Sequence, residues 1–343
     1  MNTNHLKIAV IGATGQVGKV ALDLLADRKH PPENLVVMAS QRSIGKKIVY
    51  GDNQLELVES TPKGFEGIDA AFISVSSSVS EHLAPEIVER GGLVIDDGSA
   101  FRMDDSVPLV VPEVNGSDVE WHSGIISTPN CTTTPLVMVL DALRKLSPVR
   151  GVTVSTYQAV TGTGTAAKTE LFGQTSQILA GNDPVINVYP HQIAFNLLPH
   201  VDNFMADGYT IEEIKMLNES RKILHEPNLN VSATCVRVPV PISHSESVQV
   251  IFKDRVDVKL VTQALRDYPG ISLLDDTLKN DYPMPVYAEG KDEVFVGRIR
   301  KDLVNEQGIL LWLSCDNLRK GAALNALQIL DEVVNRGCLK SKN

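Results

Sequence analysis

At 343 residues the chain is longer than a typical single domain, so two domains are expected. A net charge of −10 with no basic cluster argues against nucleic acid as a partner, and no apolar run approaches the length of a membrane span. Cys131, Cys235, Cys315 and Cys338 are scattered and form no CxxC pair, which indicates neither a metal site nor a disulfide framework, and with a short polar N-terminus in place of a signal peptide the reading is a cytoplasmic protein.

Lys7–Ile11 reads as a buried strand that runs into Gly12-Ala13-Thr14-Gly15-Gln16-Val17-Gly18, and a helical apolar pattern follows from Val20 to Leu25. Glycines at this spacing between a strand and a helix let the backbone approach a diphosphate, which the helix N-terminus then faces. Gly12, Thr14, Gly15, Gln16 and Val17 are therefore candidate cofactor contacts. A second strand, Leu35–Met38, ends in Ala39-Ser40-Gln41-Arg42-Ser43. No acidic residue stands there to hold a ribose 2′-hydroxyl, and Arg42 flanked by Ser40 and Ser43 suits a 2′-phosphate, so NADP is favoured over NAD. Further strands are expected at Ile68–Val75, Gly92–Asp96, Leu109–Pro112 and Gly124–Ser127, with a helix at Glu81–Arg90. The alternation describes a doubly wound parallel sheet, and Arg102 lies in the exit loop of one of its strands.

Ser127-Thr128-Pro129-Asn130-Cys131-Thr132-Thr133 comes next, before a helical apolar pattern from Leu136 to Leu146. Cys131 is thus expected in the turn that opens a helix. Unpaired N–H groups at a helix start favour negative charge, so a thiol there ionises more readily, and the thiolate is the nucleophile. The same groups suit an oxyanion formed on sulfur attack at a carbonyl.

After Arg150 the pattern changes. Gly151–Val160 is a long β run that ends in Thr161-Gly162-Thr163-Gly164, and Thr169–Leu179 is helical. Thr210 three residues before Glu213 is a capping-box signature for a helix to Ile223. Strands are expected at Val231–Pro241, Ser247–Lys253 and Ile309–Cys315, with a helix at Val258–Asp267. Few helices among several strands suggest an antiparallel sheet with helices on one face. An Ala/Leu-rich helix closes the chain from about Leu318.

Five ordered motifs carry a resemblance: the Gly12–Gly18 turn; Pro129-Asn130-Cys131-Thr132-Thr133; Tyr157-Gln158-Ala159-Val160; Glu212-Glu213-Ile214-Lys215-Met216; and Arg237-Val238-Pro239-Val240 with His244-Ser245-Glu246 after it. The chain resembles the aspartate-β-semialdehyde dehydrogenases from Ile8 to the final helix. The resemblance implies a Rossmann-type NADP-binding domain, residues 1–131 with 317–343, and an α+β catalytic and dimerisation domain with a mainly antiparallel sheet, residues 132–316. It implies reversible NADPH-dependent reductive dephosphorylation of L-aspartyl 4-phosphate to the 4-semialdehyde. That step feeds lysine, threonine, methionine and diaminopimelate synthesis. A homodimer or higher homo-oligomer is also implied.

In such an enzyme Cys131 attacks the acyl phosphate and forms a thioester, His244 relays a proton, and Gln158 orients the acyl group. Arg237 offers a planar fork for the substrate carboxylate, Glu212 pairs with its ammonium, and Asn130 positions phosphate or oxyanion. Arg102 and Lys215 hold the phosphate, while Thr161, Gly162 and Asn317 lie near the nicotinamide. Thr161 and Thr163 stand in a loop more often read Ser-Gly-x-Gly in the family. Three alternatives stay open. N-acetyl-γ-glutamyl-phosphate reductase usually carries Pro-Gly-Cys and has no use for an acid at Glu212. The others are a non-catalytic NADP-binding relative and a Cys-His hydrolase.

Overall fold

This computed structural model describes residues 3–339, the Arg42 side chain excepted. The chain forms two compact units, one of residues 1–130 and 322–343, the other of residues 131–321.

The first unit is built on a six-stranded sheet in which every pairing is parallel. Its order is Val58–Glu59, Leu35–Ala39, Ile8–Ile11, Ala70–Ile73, Leu93–Asp96, Ile125–Ser127. Numbered along the chain, that is 3-2-1-4-5-6, the Rossmann order whose crevice lies at the carboxyl ends of the middle strands. Ile8–Ile11 is buried at all of its positions, as a central parallel strand must be. Ile8 and Val10 face a core shared by the helices Gln16–Asp27 and Leu324–Asn335. Ala9 and Ile11 face the opposite core, with Leu83, Ala84 and Ile87 of the Ser77–Glu89 helix. Period-2 alternation of the strand thus places one helical layer on each side. Leu109–Pro112, read as a strand, makes only an isolated bridge from Leu109 to Ser127. Pro112 opens a helical turn there and ends the extended run.

The terminal helix begins at Leu324 rather than near Leu318, because Arg319–Ala323 forms a π-helical turn before it. The expected domain breaks after residues 131 and 316 compare with breaks after residues 130 and 321 in the structure.

The second unit carries a six-stranded mixed sheet in the order Val231–Arg237, Val149–Gln158, His244–Phe252, Gly308–Cys315, Val294–Lys301, Ile271–Leu273. The inner pairings are antiparallel and the two outer ones parallel. Along Val152–Gln158 the even-numbered residues are buried and the odd-numbered ones are not. The buried face is covered by the Thr133–Arg144, Ile211–Leu224 and Val258–Arg266 helices. Thr133–Leu143 is buried at every position, as expected of a helix enclosed on all sides. Both capping-box hydrogen bonds between Thr210 and Glu213 are present. Among the described residues no helix is long and apolar enough to cross a membrane.

Candidate active site

In the first unit, the turn after Ile11 holds Gly12 at φ +90°, where a Cβ would stand 2.2 Å from the Ser74 carbonyl oxygen. A Cβ at Gly18 would meet the Gly12 oxygen at 2.3 Å. No side chain fits either place, so the strand, turn and helix pack closely and leave the backbone open to a ligand. A cleft of about 450 Å³ lies over this turn, lined by Gly12, Thr14, Gly15, Ser40 and Ser74 among others. Glu59, the register partner of Ala39, also lines it. Gln16 and Val17 start the following helix, and Ser40 precedes a short 3-10 turn over Gln41–Ser43. The Arg42 side chain lies outside the described residues.

Arg102 is buried in the same unit. Its Nε donates to the Thr128 carbonyl at 2.9 Å and its Nη2 to that of Asp97 at 2.8 Å. It therefore braces the segment that ends at Asn130, itself buried.

The other predicted residues belong to the second unit. Cys131 and Thr132 form the turn from which the Thr133–Arg144 helix starts. Gly321 is pressed against this turn: a Cβ there would lie 3.0 Å from Cys131 Cβ and 3.3 Å from its Cα. Asn317 ties the neighbouring loops together. Its Oδ1 accepts from the Ser243 N–H at 2.9 Å and its Nδ2 donates to Thr161 Oγ1 at 3.3 Å. Ser243, held at φ +75°, then delivers His244 to the start of its strand.

Gln158 and Arg237 end the adjacent parallel strands in mutual register. The Thr156 hydroxyl donates to Gln158 Oε1 at 3.0 Å, and Gln158 Nε2 donates to Glu212 Oε1 at 3.0 Å. Lys215 Nζ lies 3.4 Å from Glu212 and 2.7 Å from Asp202. Asp202 has no distinguishing sequence pattern, yet it holds this lysine from a left-handed backbone position at φ +68°.

His244 is buried, and its Nδ1 accepts the Ala159 N–H at 2.9 Å. Arg237 Nη1 donates to the Ala159 carbonyl at 2.7 Å. His244 Nε2 and Arg237 Nε are buried with no hydrogen-bond partner among the described residues. Buried polar atoms without a protein partner are places where a ligand can supply one. Gly162 packs against both side chains: a Cβ there would stand 3.0 Å from Arg237 Nη1 and 3.4 Å from His244 Nε2. Burial, reinforced by the Arg237 charge, holds the His244 imidazole well below its usual range.

A thiol at a helix start, an amide–carboxylate–ammonium chain and two buried nitrogens without a protein partner suit attack on the carbonyl of a small charged substrate. Residues 7–122 match the family described as Semialdehyde dehydrogenase, NAD binding domain, and residues 140–320 match Semialdehyde dehydrogenase, dimerisation domain. The aspartate-semialdehyde dehydrogenase of Bacillus subtilis is 47% identical over 96% of this chain and 97% of its own length. The chain belongs to the aspartate-semialdehyde dehydrogenase family. Solved members of that family share its fold. Aspartate semialdehyde dehydrogenase II of Vibrio cholerae, complexed with ASA, has a TM-score of 0.93 at 39% identity, covering 96% of this chain and 98% of that one. The Candida albicans aspartate semialdehyde dehydrogenase, solved with NADP, has a TM-score of 0.75 at 27% identity, covering 97% and 99%.

Proposed function

We propose that the protein reduces L-aspartyl 4-phosphate to L-aspartate 4-semialdehyde with NADPH, releasing phosphate through a thioester on Cys131. The observation that carries this reading is Cys131 at a helix start, in the same unit as the Gln158–Glu212–Lys215 chain and the buried, unpartnered nitrogens of Arg237 and His244. Cys131 attacks the acyl carbon, the carbonyl pair moves to oxygen, and its return expels phosphate. Arg237 takes the substrate carboxylate, Glu212 its ammonium, and Gln158 orients the acyl group between them. The buried Glu212 carboxylate favours a free ammonium over the acylated amine of the N-acetyl-γ-glutamyl analogue. Asn130, Arg102 and Lys215 serve the phosphate. The protein is read as a cytoplasmic homodimer or higher homo-oligomer, in keeping with the dimerisation-domain match.

Gly12, Thr14, Gly15, Gln16, Val17, Ser40, Arg42 and Ser43 are assigned to the dinucleotide, and Thr161, Gly162 and Asn317 to its nicotinamide end. The Gly12–Gly15 turn fits a diphosphate because no Cβ obstructs the backbone. When bound, the cofactor supplies the hydride. Two features bear on NADP against NAD. The Leu35–Ala39 strand ends without an acidic residue, whereas Glu59 enters the same cleft from the neighbouring strand. Arg42 is assigned to outweigh it at the 2′-phosphate. Arg42→Ala should therefore weaken NADP binding by about tenfold or more, the scale of one charge-assisted contact, and leave NAD nearly unchanged. Equal losses for both, by titration calorimetry, would exclude this role.

The reaction itself is tested by mass spectrometry. Mixing the protein with aspartyl phosphate, without cofactor, should add one aspartyl group to Cys131. An unmodified Cys131 would remove the thioester from the mechanism.

A further inference from the structure

We infer that the Asp97 carboxylate is the counter-charge of Arg102 and thereby weakens phosphate binding. Asp97 is a positioning residue that acts through Arg102. The role rests on the reading above that Arg102 serves the phosphate.

Asp97 follows the Leu93–Asp96 strand, at the start of the loop that carries Arg102. That loop is folded around the arginine. Arg102 Nη2 donates to the Asp97 carbonyl at 2.8 Å, and its Nε donates to the Thr128 carbonyl at 2.9 Å. The Thr128 hydroxyl donates in turn to Asp97 Oδ1 at 3.0 Å, and the Ser74 hydroxyl donates to Oδ2 at 3.0 Å. Guanidinium and carboxylate are thus joined through Thr128, and all of these residues belong to the first unit.

Each carboxylate oxygen of Asp97 accepts a hydroxyl hydrogen, which suits the ionised form. Burial raises the Asp97 carboxyl above its ordinary value, and the Arg102 charge is the foremost influence against that rise. The preceding acid is a poorer counter-charge. Asp96 is buried, and its Oδ1 takes the hydroxyl of Ser80 on the Ser77–Glu89 helix. Burial, with the Asp97 charge beside it, pushes the Asp96 carboxyl up.

The consequence is electrostatic. An anion at Arg102 is attracted by the guanidinium and repelled by the carboxylate next to it. Arg102 is buried and Asp97 half-buried, so solvent and salt screen this repulsion less than on an open surface. A guanidinium with no counter-charge would hold the phosphoryl group of the substrate and the released phosphate alike. Asp97 offsets part of that attraction, so the product exchanges more readily. Two backbone carbonyls, not the Asp97 side chain, aim the guanidinium. Asp97→Asn therefore leaves the aim in place and removes the charge. Its amide N–H can donate to the Ser74 or Thr128 hydroxyl, since a hydroxyl accepts as well as donates.

The test reads phosphate affinity in two ways. NADPH formation from the semialdehyde, NADP and phosphate gives a KM for phosphate, and calorimetric titration with inorganic phosphate gives its Kd. Asp97→Asn should lower both by about three- to tenfold. Arg102→Gln should raise both by about tenfold or more, the scale of one charge-assisted contact. The direction decides between roles, because a loop that merely lost its shape would bind phosphate more weakly. Asp97→Ser removes the same charge with a smaller side chain and should also tighten phosphate, which covers the case of an amide that disturbs folding. Phosphate binding that neither neutral variant tightens, while Arg102→Gln weakens it, overturns the counter-charge role. Phosphate binding that Arg102→Gln leaves unchanged shows instead that the phosphate assignment of Arg102 has failed, and this inference fails with it.

Discussion

Cys131→Ser should lose at least about a thousandfold in turnover, a barrier increase on the order of 4 kcal/mol, while still binding NADP. The substitution keeps size and polarity but exchanges a thiol for a hydroxyl whose pKa lies far above neutrality. A cysteine thiol needs only modest help to ionise, and the positive end of the dipole of the Thr133–Arg144 helix offers it. A serine needs a base within hydrogen-bond reach. His244 Nδ1 already accepts the Ala159 N–H. Gly321 stands 3.0 Å from Cys131 Cβ, measured from where its own Cβ would be, so the main chain on that side supplies no base either. Turnover within tenfold of the wild type in a serine variant that folds and binds NADP would show that a base had been overlooked.

Glu246→Gln should stabilise the protein, by more at pH 8 than at pH 5. Glu246 lies on the covered face of the second unit's sheet, between Thr156 and Leu313 on the neighbouring strands. Neither carboxylate oxygen has a hydrogen-bond partner among the described residues. Burial alone pushes its carboxyl well above the ordinary value of 4.5. The unfolded chain ionises near that value, whereas the folded one keeps its proton. As pH rises from about 4.5 towards the folded-state pKa, the folded form binds more protons, and its stability falls by up to about 1.4 kcal/mol per pH unit. Glutamine has nearly the same shape and carries no such linkage. Urea unfolding of both proteins across this range should show the gap widen with pH. A constant gap would mean that Glu246 is ionised in the native state.

The first unit was largely legible because its function and its fold use the same signals. The apolar run Ile8–Ile11 is a strand because it is buried on both sides, and glycines follow it because Ser74 and Gly12 oxygens leave no room for a side chain. The Thr210–Glu213 box announced its helix by side chains that make the very hydrogen bonds for which they are favoured. Other parts left weaker traces. Val294–Lys301 is a strand whose Arg298, Arg300 and Lys301 are not core residues, with a register shift between Gly297 and Arg300, so it showed no clean alternation. The hairpin Lys47–Tyr50 with Asn53–Glu56 is mostly solvent-facing, and its second strand, Asn-Gln-Leu-Glu, is too polar to stand out. Ala159 could not be found from its side chain, since it acts through its N–H and carbonyl. Asp202 and Glu59 reach their sites through a left-handed turn and a two-residue strand, neither of which has a periodic pattern.

The terminal helix has a consequence for how the protein is made. Its Leu324, Leu327, Leu330 and Val333 complete a core that Leu22, Leu25 and Ile95 begin near the other end of the chain. The ribosome must translate all of residues 131–321 between the two parts. At ordinary elongation rates that interval is roughly 10–40 s. Throughout it the first unit has its sheet residues and the Gln16–Asp27 helix in hand but one apolar layer only partly covered, a surface suited to chaperones and to aggregation alike. Completion of the Rossmann core thus waits until Leu324–Val333 has been made. A premature stop just before Leu324 would spare Cys131, Gln158, Arg237 and His244, yet it would leave that sheet exposed for good.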